Sequence, residues 1–277
     1  MKLQYLGTAA AEGFPGMFCT CDTCNRARKA GGKNIRTRSQ AIVDDFILIA
    51  FPADTYYHTI THGLNLQNIH HCIITHSHCD HFYPADFEMR RVGFASTDSN
   101  EPLNIYAAES AFNKTSDTLK EFNLEEEGRM KAHLIKPYEP FNIENYIITA
   151  LPADHDPNTS PVVYLIQKEN TALLYAHDTG IFTQDVWNWL ENSQIKLSFV
   201  SIDCTAGLLK GWQRSHLGLD TCTTFADKLR SIKCADNNTK WCINHFSHNC
   251  LADYDEILPI ASQHNFDVSY DGKTVIF

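Results

Sequence analysis

The sequence predicts an α/β protein in which two mixed sheets pack face to face and helices cover their outer faces. Two observations carry that expectation. Short apolar runs of strand-like character recur from one end of the chain to the other, and stretches of helical periodicity fall between them. A third observation concerns function: metal-ligating residue types collect where those apolar runs end.

The strand-like runs cover residues 2–7, 40–43, 46–51, 72–75, 103–107, 132–136, 146–151, 162–167, 172–176, 197–202, 241–244 and 274–277. Asp44-Asp45 and Glu169-Asn170 lie between paired runs as hairpin turns, and Asp271-Gly272 is a third candidate. Helical spacing marks residues 24–30, 54–62, 112–122, 183–191, 219–231 and 254–263. Strands dominate the first two-thirds in hairpin order, and helices become more frequent later. No internal repeat, low-complexity tract or Ser/Gly linker divides the chain, so residues 1–277 are expected to form one domain.

Composition narrows the setting. With 43% hydrophobic and 20% charged residues, the 277-residue chain reads as a soluble globular protein. Its start, MKLQYLGT, lacks the basic head and apolar stretch of an export signal. No apolar run reaches the length of a membrane span, so no membrane partner is expected. A reducing cytoplasm follows as the expected setting, with the ten cysteines serving as core thiols or metal ligands rather than disulfides. A formal net charge of −10 argues against a long nucleic acid as partner. It leaves room for a small phosphate ester, because bound cations would supply local positive charge.

The strongest signal is His76-Ser77-His78-Cys79-Asp80-His81, directly after the apolar Ile73-Ile74-Thr75. A loop leaving a strand can aim alternate side chains at one ion and the following pair at a second. Imidazole and carboxylate suit Zn²⁺, Mn²⁺, Fe or Ni²⁺ and require no thiolate. More ligands must come from elsewhere, and three residues stand at comparable strand exits: His155, Asp178 and His245. His177, beside Asp178, should face the other way, since neighbouring strand residues alternate.

A histidine motif H-x-H-x-D-H, then a distant His, an Asp and a last His together resemble the metallo-β-lactamase superfamily over nearly the whole chain. The resemblance implies an αβ/βα four-layer sandwich with a dinuclear site at one edge. His76, His78 and His155 would hold one divalent metal, and Asp80, His81 and His245 the other. Asp178 would bridge them, and such ions stand about 3.5–4 Å apart. Manganese, zinc and nickel are the candidate metals.

A second cluster, Cys19-Thr20-Cys21-Asp22-Thr23-Cys24, precedes a basic helical stretch. Three cysteines in this spacing form a zinc signal that lacks one ligand. His248 fits best, with Cys250 as the alternative. This loop at 19–24, the opening Leu6–Pro15 segment and His245-x-x-His248 resemble one branch of the superfamily. That branch contains the phosphoribosyl 1,2-cyclic phosphate phosphodiesterase of the carbon–phosphorus lyase pathway. The likeness implies a structural Zn²⁺ on Cys19, Cys21, Cys24 and His248, and a small phosphodiester as substrate. It also implies that His216, in Arg214-Ser215-His216-Leu217, assists cleavage. Asp80, besides its ligand role, and His216 are therefore the candidate catalytic residues.

The chain departs from the superfamily pattern after residues 47–49. An aspartate that supports the ligands is usual there; this chain has Ala50, and Asp54 comes four residues later. Cys79 reads as a variable position. Other enzyme readings share the scaffold: a lactonase or thioesterase, a tRNA 3′-processing nuclease, or a pyrroloquinoline-quinone biosynthesis protein. The tRNA reading needs a Lys/Arg-rich arm that the sequence lacks. Ala50 also keeps open a metal-binding protein with little catalysis, and a homodimer is left open.

Overall fold

A computed structural model describes residues 1–97 and 101–277. Its strands are β1 Lys2–Gly7, β2 Gln40–Val43, β3 Ile47–Ile49, β4 His71–Ile74, β5 Leu103–Ala107, β6 Met130–Leu134 and β7 Phe141–Ile143, followed by β8 Tyr146–Pro152, β9 Val162–Lys168, β10 Thr171–Ala176, β11 Phe199–Asp203, β12 Lys240–Asn244, β13 Asp267–Val268 and β14 Thr274–Ile276. The helices are α1 Asp22–Ala30, α2 Thr55–Thr61, α3 Glu109–Glu121, α4 Gln184–Ser193, α5 Leu219–Ser231 and α6 Tyr254–Gln263.

Two seven-stranded sheets result, ordered β14-β1-β2-β3-β4-β5-β6 and β13-β12-β11-β10-β9-β8-β7. Strand alternation sorts side chains into layers. Ala41, Val43, Ile47, Ile49 and Ile73 turn inward to meet Ile148, Tyr164, Ile166, Leu173 and Tyr175 of the other sheet. Their neighbours Ile42, Leu48, Cys72 and Ile74 face outward, in one cluster with Ala111 and Leu119 of α3. On the far side Val163, Leu165 and Leu174 pack with residues of α4, α5 and α6, including Trp187, Phe225 and Ile257. The four layers are therefore helix, sheet, sheet and helix, as the sequence predicts.

Hairpin order holds only in part. β1–β2–β3 and β7 through β10 are antiparallel, but β3–β4–β5–β6 and β10–β11–β12–β13 are parallel. A parallel neighbour needs a crossover long enough to return the chain, and α2, α3, α4, α5 and α6 lie in such crossovers. Asp44, Asp45 and Glu169 adopt positive φ of 51°, 55° and 51°, as tight hairpin turns require. Asp271-Gly272 is not a hairpin: it connects β13 of one sheet to β14 of the other. The sequence reading lacked β7 and β13, whose three and two residues are too short to show periodicity.

The topology brings strand ends together. β8, β10, β11 and β12 run in one direction, so their C-terminal ends share an edge. The first sheet is tied to that edge where β4 ends: the Val162 amide donates to the Thr75 carbonyl at 2.9 Å, and the Tyr164 hydroxyl to the Ile74 carbonyl at 2.7 Å.

Gly7 ends β1 at an irregularity in the β1–β2 register. A Cβ there would lie 2.0 Å from the Arg38 carbonyl oxygen. Overpacking against backbone that cannot rotate away costs about 3 kcal/mol. Gly7→Ala should therefore lower the urea-unfolding free energy by about that much; a loss below about 1 kcal/mol would mean that β1 and residue 38 can separate freely.

Candidate metal centre

The loop after β4 folds back on itself, the amides of His81 and Phe82 donating to the His78 carbonyl at 3.1 and 2.8 Å. That turn sends His76 and His78 toward one another, Nε2 to Nδ1 at 3.0 Å, and His155 from the end of β8 reaches the same Nδ1 at 3.2 Å. His81 Nε2 instead meets His245 Nε2 at 3.1 Å. Asp178 sits between the two sets. Its Oδ2 lies 2.6 Å from His81 Nε2 and 3.1 Å from His245 Nε2, and its Oδ1 3.8 Å from His155 Nε2. Asp80 Oδ2 is 3.4 Å from His81 Nε2 and 3.9 Å from His245 Nε2. All seven residues thus enter one cluster; the ligand atoms of His76–His78–His155, of Asp80–His81–His245 and of His76–His81–Asp178 each lie within 4.8 Å of one another.

The donor set fits divalent cations. Asp80 and Asp178 are buried, and among the described residues neither pairs with a lysine or arginine. Burial opposes their ionisation, yet the neighbouring imidazoles, His81 and His245 foremost, hold both carboxyls below the usual carboxylate range. Burial also opposes a charge on His81, but Asp178 and Asp80 outweigh it and push that imidazole up to about 10. His76 is pushed down by burial and by His81. Imidazoles crowded around buried carboxylates can satisfy one another with protons only in part. Metal ions complete such a set. Asp178 and His245 both hold positive φ, 51° and 67°, a strained conformation of the kind found at functional sites.

The outward nitrogens are anchored in turn. His76 Nδ1 lies 3.1 Å from Thr75 Oγ1, His155 Nδ1 3.3 Å from the Ser215 carbonyl, and His245 Nδ1 2.8 Å from Thr205 Oγ1. The main support is a residue the sequence reading did not single out. Asp203, fully buried at the end of β11, accepts the Asp178 amide at 3.0 Å and the Leu217 amide at 2.9 Å. It also stands 3.2 Å from His216 Nδ1 and 3.6 Å from His245 Nδ1. The signal was present, since Asp203 follows the apolar 197–202 run just as the ligands follow theirs. Asp54 does not take that role at the other sheet; it is bound to the Arg38 amide and guanidinium at 2.9 and 3.2 Å.

His216 reaches the cluster. Its Nδ1 is 3.7 Å from Asp178 Oδ1, and its ring centre is 5.1 Å from that of His155. Burial disfavours its charge, but Asp203 raises it to about 9. His177 faces away, as expected, between Ser201 at 2.7 Å and the Asn244 amide, which donates to its Nδ1 at 3.1 Å. Cys79 is exposed and joins neither ligand set.

The cysteine loop closes on the same stretch that carries His245. Cys19, Cys21, Cys24 and His248 form a four-ligand group, with His248 Nδ1 3.5 Å from Cys19 Sγ and 3.7 Å from Cys21 Sγ. Cys21 caps α1, and the Cys24 backbone amide lowers its thiol to about 6; burial pushes Cys24 up to about 12. Gly16 donates its amide to Cys24 Sγ at 3.2 Å, and a Cβ there would come within 2.9 Å of the His248 ring. Cys250 is not the fourth ligand, because its thiol is buried and donates to the Ala252 carbonyl at 3.0 Å. The intervening Phe246 is pinned: its amide donates to the Thr8 carbonyl at 2.9 Å, its carbonyl accepts from Ala10 at 3.0 Å, and the Arg36 guanidinium lies 4.1 Å over its ring.

Two facing mixed sheets with a His/Asp cluster at their common edge define the metallo-β-lactamase fold class. A family model described as the beta-lactamase superfamily domain matches residues 49–234, and the chain belongs to that superfamily. Similar solved structures include Zn²⁺-bound PqqB from Methylobacterium extorquens, with a TM-score of 0.76 and 18% identity over the whole of both chains. A diphosphatase of the PhnP family superimposes with a TM-score of 0.72 and 20% identity, covering 100% of this chain and 96% of its own. Among curated proteins, coenzyme PQQ synthesis protein B of Acinetobacter baumannii is 23% identical over 252 residues, covering 80% of this chain and 78% of that one. No described helix is long and apolar enough to cross a membrane.

Two substitutions test the supports of the cluster. Asp203→Asn should weaken divalent-metal binding about 10- to 100-fold in calorimetric titration, because it loosens His245 and the Asp178 backbone together. Undiminished affinity would remove Asp203 from that role. Cys21→Ser should lower zinc content and melting temperature while the His/Asp cluster still takes up metal; unchanged zinc and unchanged melting would show that the thiols hold no structural ion.

Proposed function

We propose that this protein is a metal-dependent hydrolase that cleaves a small phosphodiester. In this reading His76, His78 and His155 hold one divalent ion, Asp80, His81 and His245 hold a second, and Asp178 is shared. Cys19, Cys21, Cys24 and His248 hold a separate structural zinc. Ions bound in the cluster supply Lewis acidity and lower the pKa of a water molecule.

The observation that carries phosphodiester chemistry is the placement of His216. Its Nδ1 is engaged by Asp203 at 3.2 Å, which leaves Nε2 without a hydrogen-bond partner among the described residues. The side chain is 23% exposed, unlike the sealed His81 and His245 at 1%. An imidazole held this way can donate a proton. As water oxygen bonds to phosphorus and the bond to the leaving oxygen breaks, His216 Nε2–H passes its proton to that oxygen; the proton released by the attacking water goes to solvent, from which His216 is reprotonated. Asp203 fixes the ring and stabilises its charged form beforehand. The likeness to the PhnP-family diphosphatase is consistent with phosphorus chemistry.

A second reading, a part in coenzyme PQQ synthesis, is favoured by the curated relatives at 23% identity. Activity separates the two. With Mn²⁺, Zn²⁺ or Ni²⁺ loaded, the protein should hydrolyse bis(p-nitrophenyl) phosphate, and His216→Ala should lower kcat by about 10²–10⁴-fold at unchanged metal content. Asp80→Ala should abolish turnover and reduce bound metal. Metal-loaded protein that leaves phosphodiesters intact but opens lactones or thioesters would overturn the proposal, and loaded protein inert toward all three would favour the PQQ reading.

A further inference from the structure

A histidine that gives one ring nitrogen to a metal must carry its proton on the other, and that N–H needs an acceptor when it is buried. Four of the five clustered histidines meet this condition. His76, His155 and His245 face Thr75, the Ser215 carbonyl and Thr205, and His78 directs Nε2 to Asp156 Oδ2 at 3.4 Å. His81 does not. Its Nε2 points at Asp178 and Asp80, while its Nδ1 is buried with no hydrogen-bond partner among the described residues.

Ala50 stands one residue before the backbone bond to His81. The Phe51 amide donates to the His81 carbonyl at 2.7 Å, and the Tyr83 amide to the Phe51 carbonyl at 2.7 Å, so the exit of β3 lies alongside residues 81–83. The Ala50 amide is spent on the Ile73 carbonyl at 3.0 Å, and its own carbonyl accepts from Gln40 Nε2 at 3.0 Å. Its side chain is a fully buried methyl group that can accept nothing. Its φ of 69° lies in the left-handed region, which asparagine, aspartate and glycine enter more readily than alanine. The backbone at 50 thus has the shape suited to a short polar side chain, one residue from the bond that ties the exit of β3 to the one ligand that lacks an acceptor.

We infer that the ion position formed by Asp80, His81 and His245 is the weaker of the two, and that residue 50 sets the difference. The inference rests on the reading of the cluster as a two-ion site. Without an acceptor at Nδ1, nothing orients the His81 ring or raises the basicity of the Nε2 that an ion would take. With Nε2 given to an ion, the Nδ1–H stays buried and unpaired. The missing partner weakens the position about 10- to 100-fold.

Titrating the metal-free full chain with Mn²⁺, followed by calorimetry and by Mn²⁺ paramagnetic resonance, tests this; the thiolate cluster disfavours that ion. Wild type should show two classes of site differing by about 10-fold or more, and Asp80→Ala should remove the weaker class. Ala50→Asp should tighten the weaker class about 10-fold or more, whereas Ala50→Gly, which suits the backbone but offers no acceptor, should not. Ala50→Asn, whose amide oxygen also accepts, should tighten it in part and decides the matter if the aspartate variant does not fold. Two equal classes in wild type, no tightening with either acceptor, or tightening with glycine would overturn the inference. Absence of Mn²⁺ binding in every variant would instead overturn the two-ion reading beneath it.

Discussion

Where β4 gives way to His76, two bonds cross from one sheet to the other: the Val162 amide to the Thr75 carbonyl and the Tyr164 hydroxyl to the Ile74 carbonyl. His76, His78, Asp80 and His81 leave the first sheet, whereas His155, Asp178 and His245 leave the second. Either half alone is an incomplete set of donors. The inter-sheet core of Ile49, Ile73, Tyr164 and Tyr175 fixes the spacing of the sheets, and the two bonds fix their registration at the edge that matters. A loss of that alignment would separate His81 from Asp178 before it disturbed either sheet.

Much of this was legible in the residues. Continuous apolar runs such as 40–43 and 162–167 declared themselves as strands because one face meets the other sheet and the opposite face meets helices, so nearly every position is apolar. The H-x-H-x-D-H loop was legible because polar ligands seldom follow a buried strand without a reason. Parallel pairing was less so, since a strand run carries no direction, and the sequence order suggested hairpins where crossovers stand. Asp203 stands at a strand exit as the ligands do, but its role was hidden in the sequence, because it serves them through hydrogen bonds to His216 and to the Asp178 amide on other elements.

Two clusters of very different chemistry share one short turn. His245 belongs to the imidazole–carboxylate group and His248 to the thiolate group, and Phe246 between them is clamped by Thr8, Ala10 and Arg36. Glu12 adds a second tie, accepting from the Ser247 hydroxyl and lying 3.6 Å from His248 Nε2. The cysteine group therefore acts as an anchor for a segment whose backbone is strained at His245. Strain at a ligand persists only where its surroundings over-determine it, and here they do so from both sides.

The ligands also have an order along the chain. The first leaves β4 early, and the last, His245, follows β12 and is joined there by a parallel strand, β13, that closes the second sheet. A chain emerging from the ribosome would hold His76, His78, Asp80 and His81 long before the residues that complete their coordination. Under the proposed two-ion reading, full ion uptake would mark finished folding, because the last donor arrives only when the sandwich itself is almost whole.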